Sequence, residues 1–289
     1  GSALKEIQFE SHLSPGAPAF LKHHQVFDAV VLPATGYLEM ALSAGALVLK
    51  STTLVLEDIV IQSALIFTES ASTQTVQTIV TPVSSGTAEF EIFSVAQSDN
   101  HLDLEAEQVW TSHAKGNVKP GVKAEPTVDL SQLQAQCAET IDVEQYYQSL
   151  RAQGLDYGDY LQAIQQLWRA DRQALGYICL PEELTAEIER FHIHPVLLDA
   201  CFQTVAAALT VQDQVLTYLP TLIKQLSVFR SPGESVWCHV QLRKQSKTRG
   251  IRVDLSIWDG EGRAIAHIDQ LHLLPVTRER LLGTSQADW

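Results

Sequence analysis

Residues 34–50 read ATGYLEMALSAGALVLK and residues 195–212 read PVLLDACFQTVAAALTVQ, and these two stretches decide the fold. Each is apolar on nearly every side rather than along one stripe, which is typical of a helix surrounded by protein. Both are rich in alanine, whose small side chain lets a neighbouring backbone approach closely. The sequence therefore predicts two buried central helices that lie far apart in the chain.

Strand-like segments follow each predicted helix. They are rich in β-branched and aromatic residues, and turn signals separate them. The predicted strands are residues 54–61, 74–80, 89–95 and 108–113 in the first half and residues 218–229, 235–243, 250–258 and 264–274 in the second half. Turns are predicted at residues 84–86, SSG, and 259–262, DGEG. A helix wrapped by a sheet thus occurs twice, which predicts a duplicated α+β fold.

A linker is predicted between the halves. Residues 117–127, NVKPGVKAEPT, hold two prolines and one glycine and have little apolar content. We therefore place one unit at residues 1–116, a linker at residues 117–136 and a second unit at residues 137–289.

The charge of the chain limits its partners. Among 289 residues there are 34 acidic and 20 basic side chains, and the formal net charge is -14. This excess argues against nucleic acid or an anionic membrane as the main partner. The most apolar stretch, Ala34–Leu49, carries Glu39 and is too short to cross a bilayer, so we expect a buried helix there.

The cysteines and the N-terminus indicate where the protein acts. Cys137, Cys179, Cys201 and Cys238 form no C-x-x-C pair. Scattered cysteines are typical of reduced thiols, so we expect a cytoplasmic protein without disulfides. A secretion signal is not apparent, and Gly1-Ser2 resembles the scar of tag removal, which indicates a domain excised from a longer chain.

Asp199 is a candidate for chemistry because it interrupts an apolar helix. A carboxyl group in apolar surroundings has a raised pKa, which suits a proton donor. Gln203 follows one turn later on the same face and can hydrogen-bond to it. The alternative is that Asp199 caps or pairs near the helix start, which is the commoner role for an arbitrary acid.

His24 is the candidate base. It begins residues 24–33, HQVFDAVVLP, an extended apolar run that leads into the first helix. Imidazole is the natural base near neutral pH. Beside apolar residues, however, a histidine is more often a hydrogen-bonded core group than a catalyst, and the adjacent His23 shows how unspecific one histidine is.

These residues lie in motifs that resemble the dehydratase domains of modular type I polyketide synthases. Residues 24–33 match H-x-x-x-G-x-x-x-x-P at the histidine and the proline and continue into ATGYLEMA. The further matches cover nearly the whole chain in order: residues 157–162, YGDYLQ, resemble Y-G-x-x-F-Q, residues 194–199, HPVLLD, resemble H-P-x-x-L-D, and residues 218–220, YLP, resemble an L-P stretch. The resemblance implies a double hot-dog, two fused hot-dog folds that each wrap an antiparallel sheet around a central helix.

The resemblance also implies an activity, the dehydration of a β-hydroxyacyl thioester on an acyl carrier protein to a trans-α,β-enoyl thioester. His24 would remove the α-proton, and protonated Asp199 would deliver a proton to the departing hydroxyl. Tyr157 would hold that hydroxyl, and Gln203 would orient Asp199 and keep it protonated.

The implied carbonyl site lies at the start of the first helix. Backbone N–H groups from Pro33 to Gly36 would polarise the thioester carbonyl, with the donors after Pro33 because proline has no N–H. No cofactor is implied, because the substrate arrives on the phosphopantetheine of the carrier protein. The expected partners are the acyl carrier protein, neighbouring synthase domains and a second copy in a homodimer.

Two positions depart from the family motifs. Asp28 replaces the usual glycine, and Leu161 replaces the usual phenylalanine. Aspartate tolerates positive φ better than most residues, so a turn can survive at position 28. Its carboxylate would also raise the pKa of His24 if it faced the site, and would thereby weaken the base.

A metal site and a docking surface are weaker interpretations. His192 and His194 share one face of an extended segment, but a third ligand is not apparent, so we expect no metal; His194 is expected to shape the turn before Pro195. For carrier docking, the densest basic residues are Arg243, Lys244, Lys247, Arg249 and Arg252, followed by Arg169 and Arg172. A solvated hairpin explains the first group equally well.

Other functions stay open at this point. One alternative is a related hot-dog enzyme that cyclises its substrate or shifts a double bond. Another is a non-catalytic domain that serves dimerisation, with Asp28 as a sign of decay. The presence of His24, Asp199, Tyr157 and Gln203 together favours the dehydratase.

Overall fold

The computed structural model describes residues 6–68, 73–83, 86–96, 109–122, 126–209, 216–243 and 250–283. Its strands are β1 (Ile7–Leu13), β2 (His24–Val26), β3 (Ala29–Val31), β4 (Leu54–Ile61), β5 (Ile66–Phe67), β6 (Gln74–Pro82), β7 (Ala88–Ala96), β8 (Thr111–Pro120), β9 (Glu139–Ile141), β10 (Leu155–Tyr157), β11 (Ile164–Ala170), β12 (Gln173–Cys179), β13 (Thr217–Val228), β14 (Ser235–Leu242), β15 (Ile251–Trp258) and β16 (Ala264–Val276). Its α-helices are α1 (Ala34–Leu49), α2 (Leu130–Gln136), α3 (Val143–Ala152), α4 (Pro195–Gln203) and α5 (Arg278–Leu282). Short 3-10 helices cover Leu21–His23, Glu182–Arg190 and Thr204–Ala208.

One antiparallel sheet runs through both halves, and 12 of its strands lie in the described residues. The strand order is β1-β6-β7-β8-β4-β13-β16-β15-β14-β12-β11-β9. Strands β4 and β13 join the halves, with Leu56 opposite Leu226 in the register. Alternate residues face the core, as in β15, where Val253 and Leu255 are buried and Asp254 between them is half-exposed. The two predicted half-sheets therefore form one continuous surface.

The two predicted central helices lie inside this sheet. Leu38 and Leu42 of α1 are fully buried. A Cβ atom on Gly45 would lie 2.6 Å from Val118 Cγ2 in β8, so the helix contacts the sheet too closely for a side chain at that position. None of the described helices is long and apolar enough to span a membrane.

The second central helix is shorter than predicted. Residues 195–212 were expected to form one helix, but α4 ends at Gln203 and Thr204–Ala208 continue as a 3-10 helix. The Tyr146 hydroxyl donates to the Gln203 carbonyl at 2.6 Å, at the residue where the α-helix passes into the 3-10 helix. Residues 210–212 lie outside the described residues.

The predicted linker is structured at both of its ends. Strand β8 continues to Pro120, which pairs with Leu54 at the start of β4. Pro120 is the last residue of β8, where its missing N–H is tolerated. Residues 130–136 form α2, whose first turn is capped by Asp129. Residues 123–125, and residues 84–85 of a predicted turn, lie outside the described residues.

A small second sheet connects the halves a second time. Its strand order is β10-β2-β3-β5. Strand β10 comes from the second half, and its Tyr157 pairs with His24 of β2. This pairing brings two of the predicted site residues together through the backbone alone.

The starts of α1 and α4 are also bonded to each other. The Thr35 hydroxyl donates to the Pro195 carbonyl at 3.1 Å. The buried Glu39 carboxylate accepts the backbone N–H groups of His192 at 2.9 Å and Ile193 at 3.2 Å. Because a buried N–H without an acceptor is costly, Glu39 fixes the turn that leads into α4.

We predict that Glu39→Ala lowers the free energy of unfolding by about 2–4 kcal/mol, because two N–H groups beside the core lose their acceptor. Urea unfolding followed by circular dichroism measures the change. The matched control is Glu57→Ala, which removes a half-buried ion pair with Lys119 at 2.7 Å and should cost less than about 1 kcal/mol. Equal losses in the two variants would contradict this account of Glu39.

Candidate active site

His24 lies at the start of β2 and is buried. Its Nδ1 atom lies 2.8 Å from the Val31 carbonyl oxygen in β3. Because a carbonyl can only accept, Nδ1 carries the hydrogen and Nε2 keeps the lone pair of a base. The β2–β3 hairpin therefore sets the tautomer of His24 through its backbone.

Asp199 lies on the second turn of α4 and is 5% exposed. Its Oδ1 atom lies 3.9 Å from His24 Nε2. Burial raises the pKa of Asp199, and this effect exceeds the opposing effects of His24 and of a hydrogen bond from Gln203. The structure thus brings the predicted acid and base together, one from each half of the chain.

Gln203 contacts Asp199 as predicted, but one predicted effect is wrong. Its Nε2 atom donates to Asp199 Oδ2 at 2.8 Å. A donated hydrogen bond stabilises the ionised carboxylate, so Gln203 lowers the pKa of Asp199 rather than keeping it protonated. Burial is what favours the protonated acid.

Tyr157 lies beside this pair. Its ring centroid is 5.7 Å from that of His24. Burial raises the pKa of Tyr157 well above its ordinary value, and the Asp199 carboxyl group adds to the shift. The phenol therefore stays protonated and can donate a hydrogen bond.

These side chains open onto one pocket of about 110 Å³. Its wall is mainly apolar and comes from both halves of the chain. It includes Val26, Val31, Leu32, Leu150, Phe202 and Leu219. Such a wall excludes water and can hold an acyl chain beside the acid and the base.

Pro33 and Gly36 lie behind the pocket wall rather than in it. Among the described residues of this segment, Leu32 and Ala34 line the pocket. Pro33 is the N-terminal cap of α1, and the Gly36 N–H donates to the Pro33 carbonyl at 2.9 Å. The expectation that Gly36 offers its N–H to a substrate is therefore wrong, because this N–H closes the first turn of the helix.

Asp28 occupies a two-residue turn between β2 and β3. It has φ +68 and the preceding Phe27 has φ +50, so aspartate accommodates the left-handed backbone as expected. Its side chain is 80% exposed and binds Arg278 at 2.7 Å. The carboxylate therefore points to Arg278 at the surface, and the expectation that it faces the site is wrong.

The segment from residue 157 to residue 162 contacts the site residue Gln203 through its backbone. Leu161 is fully buried, and its carbonyl accepts from Gln203 Nε2 at 3.0 Å. Because this contact uses the backbone, replacing the family's phenylalanine with leucine leaves it intact. A Cβ atom on Gly158 would lie 2.4 Å from His23 Nδ1, so glycine is needed for this close approach.

The two histidines of the H-x-H segment bind protein groups. His192 Nδ1 lies 3.1 Å from Glu39. His194 Nδ1 accepts from the Val196 N–H at 3.2 Å, and its Nε2 lies 3.4 Å from Glu187, which confirms that His194 shapes the turn into α4. Burial lowers the pKa of His194, so the ring can accept as a neutral cap. Within the described part of the chain, no three His, Cys, Asp or Glu side chains form a candidate metal site.

Two of the described arginines considered for docking form ion pairs with acidic residues of the chain. Arg243 forms ion pairs with Asp254 and Asp269, and Arg169 pairs with Glu139 at 2.5 Å. Three members of the first cluster lie outside the described residues, namely Lys244, Lys247 and Arg249. The paired arginines are therefore poor candidates for holding an acidic partner.

Two contacts of the site were missed by sequence reasoning. The Val31 carbonyl holds His24, and no side-chain pattern can reveal a backbone acceptor. The Tyr147 hydroxyl donates to Gln203 Oε1 at 3.0 Å. The only sequence feature that marks Tyr147 is its place on the apolar face of α3, beside the buried Tyr146 and Leu150.

Two family models and several curated proteins match this chain. A model described as polyketide synthase dehydratase N-terminal domain matches residues 125–283, and one described as polyketide synthase dehydratase domain matches residues 2–95. The polyketide synthase PksM of Bacillus subtilis (strain 168) is 28% identical over 276 residues, which cover 91% of this chain and 6% of PksM. The chain spans between 4% and 14% of the length of eight curated polyketide synthases that it matches.

Solved structures resemble it over nearly its whole length. The dehydratase domain from the CurF module of curacin polyketide synthase superposes with a TM-score of 0.85 and 32% identity, over 95% of this chain and 94% of that one. Two inactive mutants of the CurK dehydratase each superpose with a TM-score of 0.84 and 32% identity over 96% of this chain. One mutant replaces a histidine with phenylalanine, and the superposition covers 94% of its chain. The other replaces an aspartate with asparagine, and the superposition covers 95% of its chain. The predicted double hot-dog fold is thus confirmed.

We predict that Asp199→Asn increases the stability of the protein at pH 7. The folded state holds the Asp199 proton at pH values where the unfolded chain has released it, so the wild type loses stability as the pH rises from about 4 through the raised pKa. An amide has no such loss. Urea unfolding at both pH values should show a gain at pH 7 that disappears near pH 4. The half-buried Asp156→Asn, whose carboxylate binds Arg151 at 2.9 Å, should show no gain at pH 7. A less stable Asp199→Asn at pH 7 would argue against a buried, protonated acid.

Position 28 gives a second prediction. Asp28→Gly should change the free energy of unfolding by no more than about 0.5 kcal/mol, because glycine adopts positive φ freely and the lost ion pair is exposed. Asp28→Val should lower it by more than about 1 kcal/mol, because a β-branched side chain is strained there. Urea unfolding compares the two variants, and equal stabilities would contradict the turn geometry.

Proposed function

This chain belongs to the polyketide synthase dehydratase family, and we propose that it removes water from a β-hydroxyacyl thioester on an acyl carrier protein to give a trans-α,β-enoyl thioester. The observation that carries the proposal is the 3.9 Å approach of His24 Nε2 and Asp199 Oδ1 at one apolar pocket. A base and an acid on the same side of a pocket can act on neighbouring carbons of one substrate.

His24 acts as the base. Its Nδ1 hydrogen is held by the Val31 carbonyl, so Nε2 is free to take a proton from the α-carbon. The electron pair of the broken C–H bond forms the new double bond to the β-carbon. His24 then carries one positive charge beside Asp199.

Asp199 acts as the acid. Its proton moves to the β-hydroxyl oxygen as the carbon–oxygen bond breaks, and the oxygen leaves as water. Tyr157 lies next to His24 and can donate a hydrogen bond to the same oxygen. Afterwards the proton on His24 Nε2 returns to Asp199 Oδ1, which restores both groups for the next turnover.

The thioester carbonyl needs a hydrogen-bond donor while the α-proton leaves. We assign this role to the first N–H group of α1, that of Ala34, since Ala34 lines the pocket and the helix dipole adds positive potential there. The acid and base together account for every proton in the reaction, so the proposal calls for no cofactor and no metal. The phosphopantetheine of the carrier protein delivers the substrate.

The inactive mutants of the CurK dehydratase support this assignment, because they alter one histidine and one aspartate, the residue types proposed here. The adjacent positions of His24, Asp199, Tyr157 and Gln203 argue against a decayed, purely structural domain. Since the chain spans a small part of its longer relatives, we propose neighbouring synthase domains and a second copy as further partners, in the cytoplasm.

The predicted activity is loss of the mass of one water from a 3-hydroxyacyl pantetheine or carrier-bound substrate, measured by mass spectrometry. His24→Ala and Asp199→Asn should each lower the rate by at least about 100-fold, because each removes one partner of the proton transfer. The matched controls are His23→Ala and Asp156→Asn, whose side chains lie outside the pocket wall. Unchanged substrate mass with the wild type, across chain lengths and both hydroxyl configurations, would contradict the proposed function.

A further inference from the structure

Both polar atoms of the Gln203 side-chain amide form hydrogen bonds. Its Nε2 atom donates to Asp199 Oδ2 at 2.8 Å and to the Leu161 carbonyl at 3.0 Å. Its Oε1 atom accepts from the Tyr147 hydroxyl at 3.0 Å. Gln203 is buried, so each of these contacts matters for the orientation of the amide.

Tyr147 decides which way this amide points. Its hydroxyl oxygen accepts the Ile164 N–H at 3.1 Å, so its own hydrogen is directed to Gln203. A flipped amide would place Oε1 against the Leu161 carbonyl, two acceptors with no hydrogen between them, and would leave the phenol hydrogen facing an NH2 group. Both contacts are unfavourable in a buried site, so the phenol selects the observed orientation.

The orientation of the amide distinguishes the two oxygens of Asp199. Oδ2 accepts a hydrogen from Gln203, so it cannot also carry a hydrogen along that line. The carbonyl oxygen of a neutral carboxylic acid is a better acceptor than its hydroxyl oxygen, so the bond from Gln203 favours Oδ2 as the carbonyl and Oδ1 as the oxygen that carries the proton. Oδ1 is the oxygen 3.9 Å from His24 Nε2, on the side of the base.

We propose that Tyr147 is a positioning residue that acts through the Gln203 amide to place the transferable proton of Asp199 on Oδ1. The proposal deepens the proposed function, because it rests on Asp199 as the acid. Tyr147 reaches no reacting atom in this scheme. It selects one of the two arrangements of the acid, and only one of them aims the proton at the β-hydroxyl.

The neighbouring residue provides a matched control. Tyr146 lies on the same helix and is equally buried, but its hydroxyl donates to the backbone carbonyl of Gln203 at 2.6 Å. Tyr146→Phe therefore removes one buried hydrogen bond to Gln203 and leaves its amide in place. Tyr147→Phe removes the hydrogen bond to Gln203 Oε1 and the one from the Ile164 N–H, and it releases the amide. A merely structural role predicts similar behaviour of the two variants.

The experiment is an infrared titration of Asp199 in the intact protein, with the carboxylic acid band identified by its loss in Asp199→Asn. Without Tyr147 the donor to Oδ2 is no longer held, so Tyr147→Phe should raise the pKa of Asp199 by about one pH unit. Tyr146→Phe should leave the titration unchanged. In the dehydration assay Tyr147→Phe should lower kcat by about tenfold with little change in KM, because the proton is misplaced while binding persists.

Removal of the amide tests the same proposal independently. Gln203→Met should raise the pKa of Asp199 in the same direction, and adding Tyr147→Phe to it should change neither the titration nor kcat further, because Tyr147 acts through the amide. A Gln203→Met titration without a shift would overturn the proposal even if Tyr147→Phe does not fold, because Tyr147 acts only through the amide.

Three results would overturn the proposal: no shift in Tyr147→Phe, an equal shift in Tyr146→Phe, or no shift in Gln203→Met. Failure of the proposed function is a different outcome, because the infrared titration does not depend on activity. A wild type that leaves every substrate unchanged, together with the expected shifts, would refute dehydration while the positioning by Tyr147 stands.

Discussion

The backbone pairing of Tyr157 with His24 is the contact on which the site depends. It joins β10 of one half to β2 of the other, and the continuous sheet repeats the connection through β4 and β13. A base from the first half and an acid from the second can share a pocket only if the halves dock in one register. The hydrogen bond from the Thr35 hydroxyl to the Pro195 carbonyl joins the starts of the two central helices in the same docked arrangement.

The electrostatics of the site follow from this docking. Asp199 is closed off by both halves, and its burial outweighs the hydrogen bond from Gln203 and the approach of His24, so its pKa is raised. The raised pKa is unfavourable for folding at neutral pH and favourable for a proton donor, a conflict that is common at functional sites. The hydrogen bonds around Asp199 therefore serve to orient a group whose pKa the apolar pocket raises.

Much of the fold follows from the sequence, because buried helices and alternating strands leave periodic patterns. β4 was predicted at its observed bounds, Leu54–Ile61. β1, β11 and β12 were missed because their sequences are too polar or too interrupted to stand out. The change from α-helix to 3-10 helix after Gln203 was missed because the sequence stays apolar through it, and the contact of Tyr146 at that residue leaves no local pattern. At the site, motif residues such as His24 and Asp199 were found, whereas Tyr147 was not, since its role lies in a contact between segments distant in sequence.

The measurement that tests the central claim most directly is a crystal structure of the Asp199→Asn variant with a bound 3-hydroxyacyl pantetheine thioester. The account predicts that the α-carbon lies within about 3.5 Å of His24 Nε2 and that the β-oxygen contacts the side chain at position 199. A thioester bound in the pocket with its α-carbon away from His24, or bound outside the pocket altogether, would contradict the shared role of the two halves.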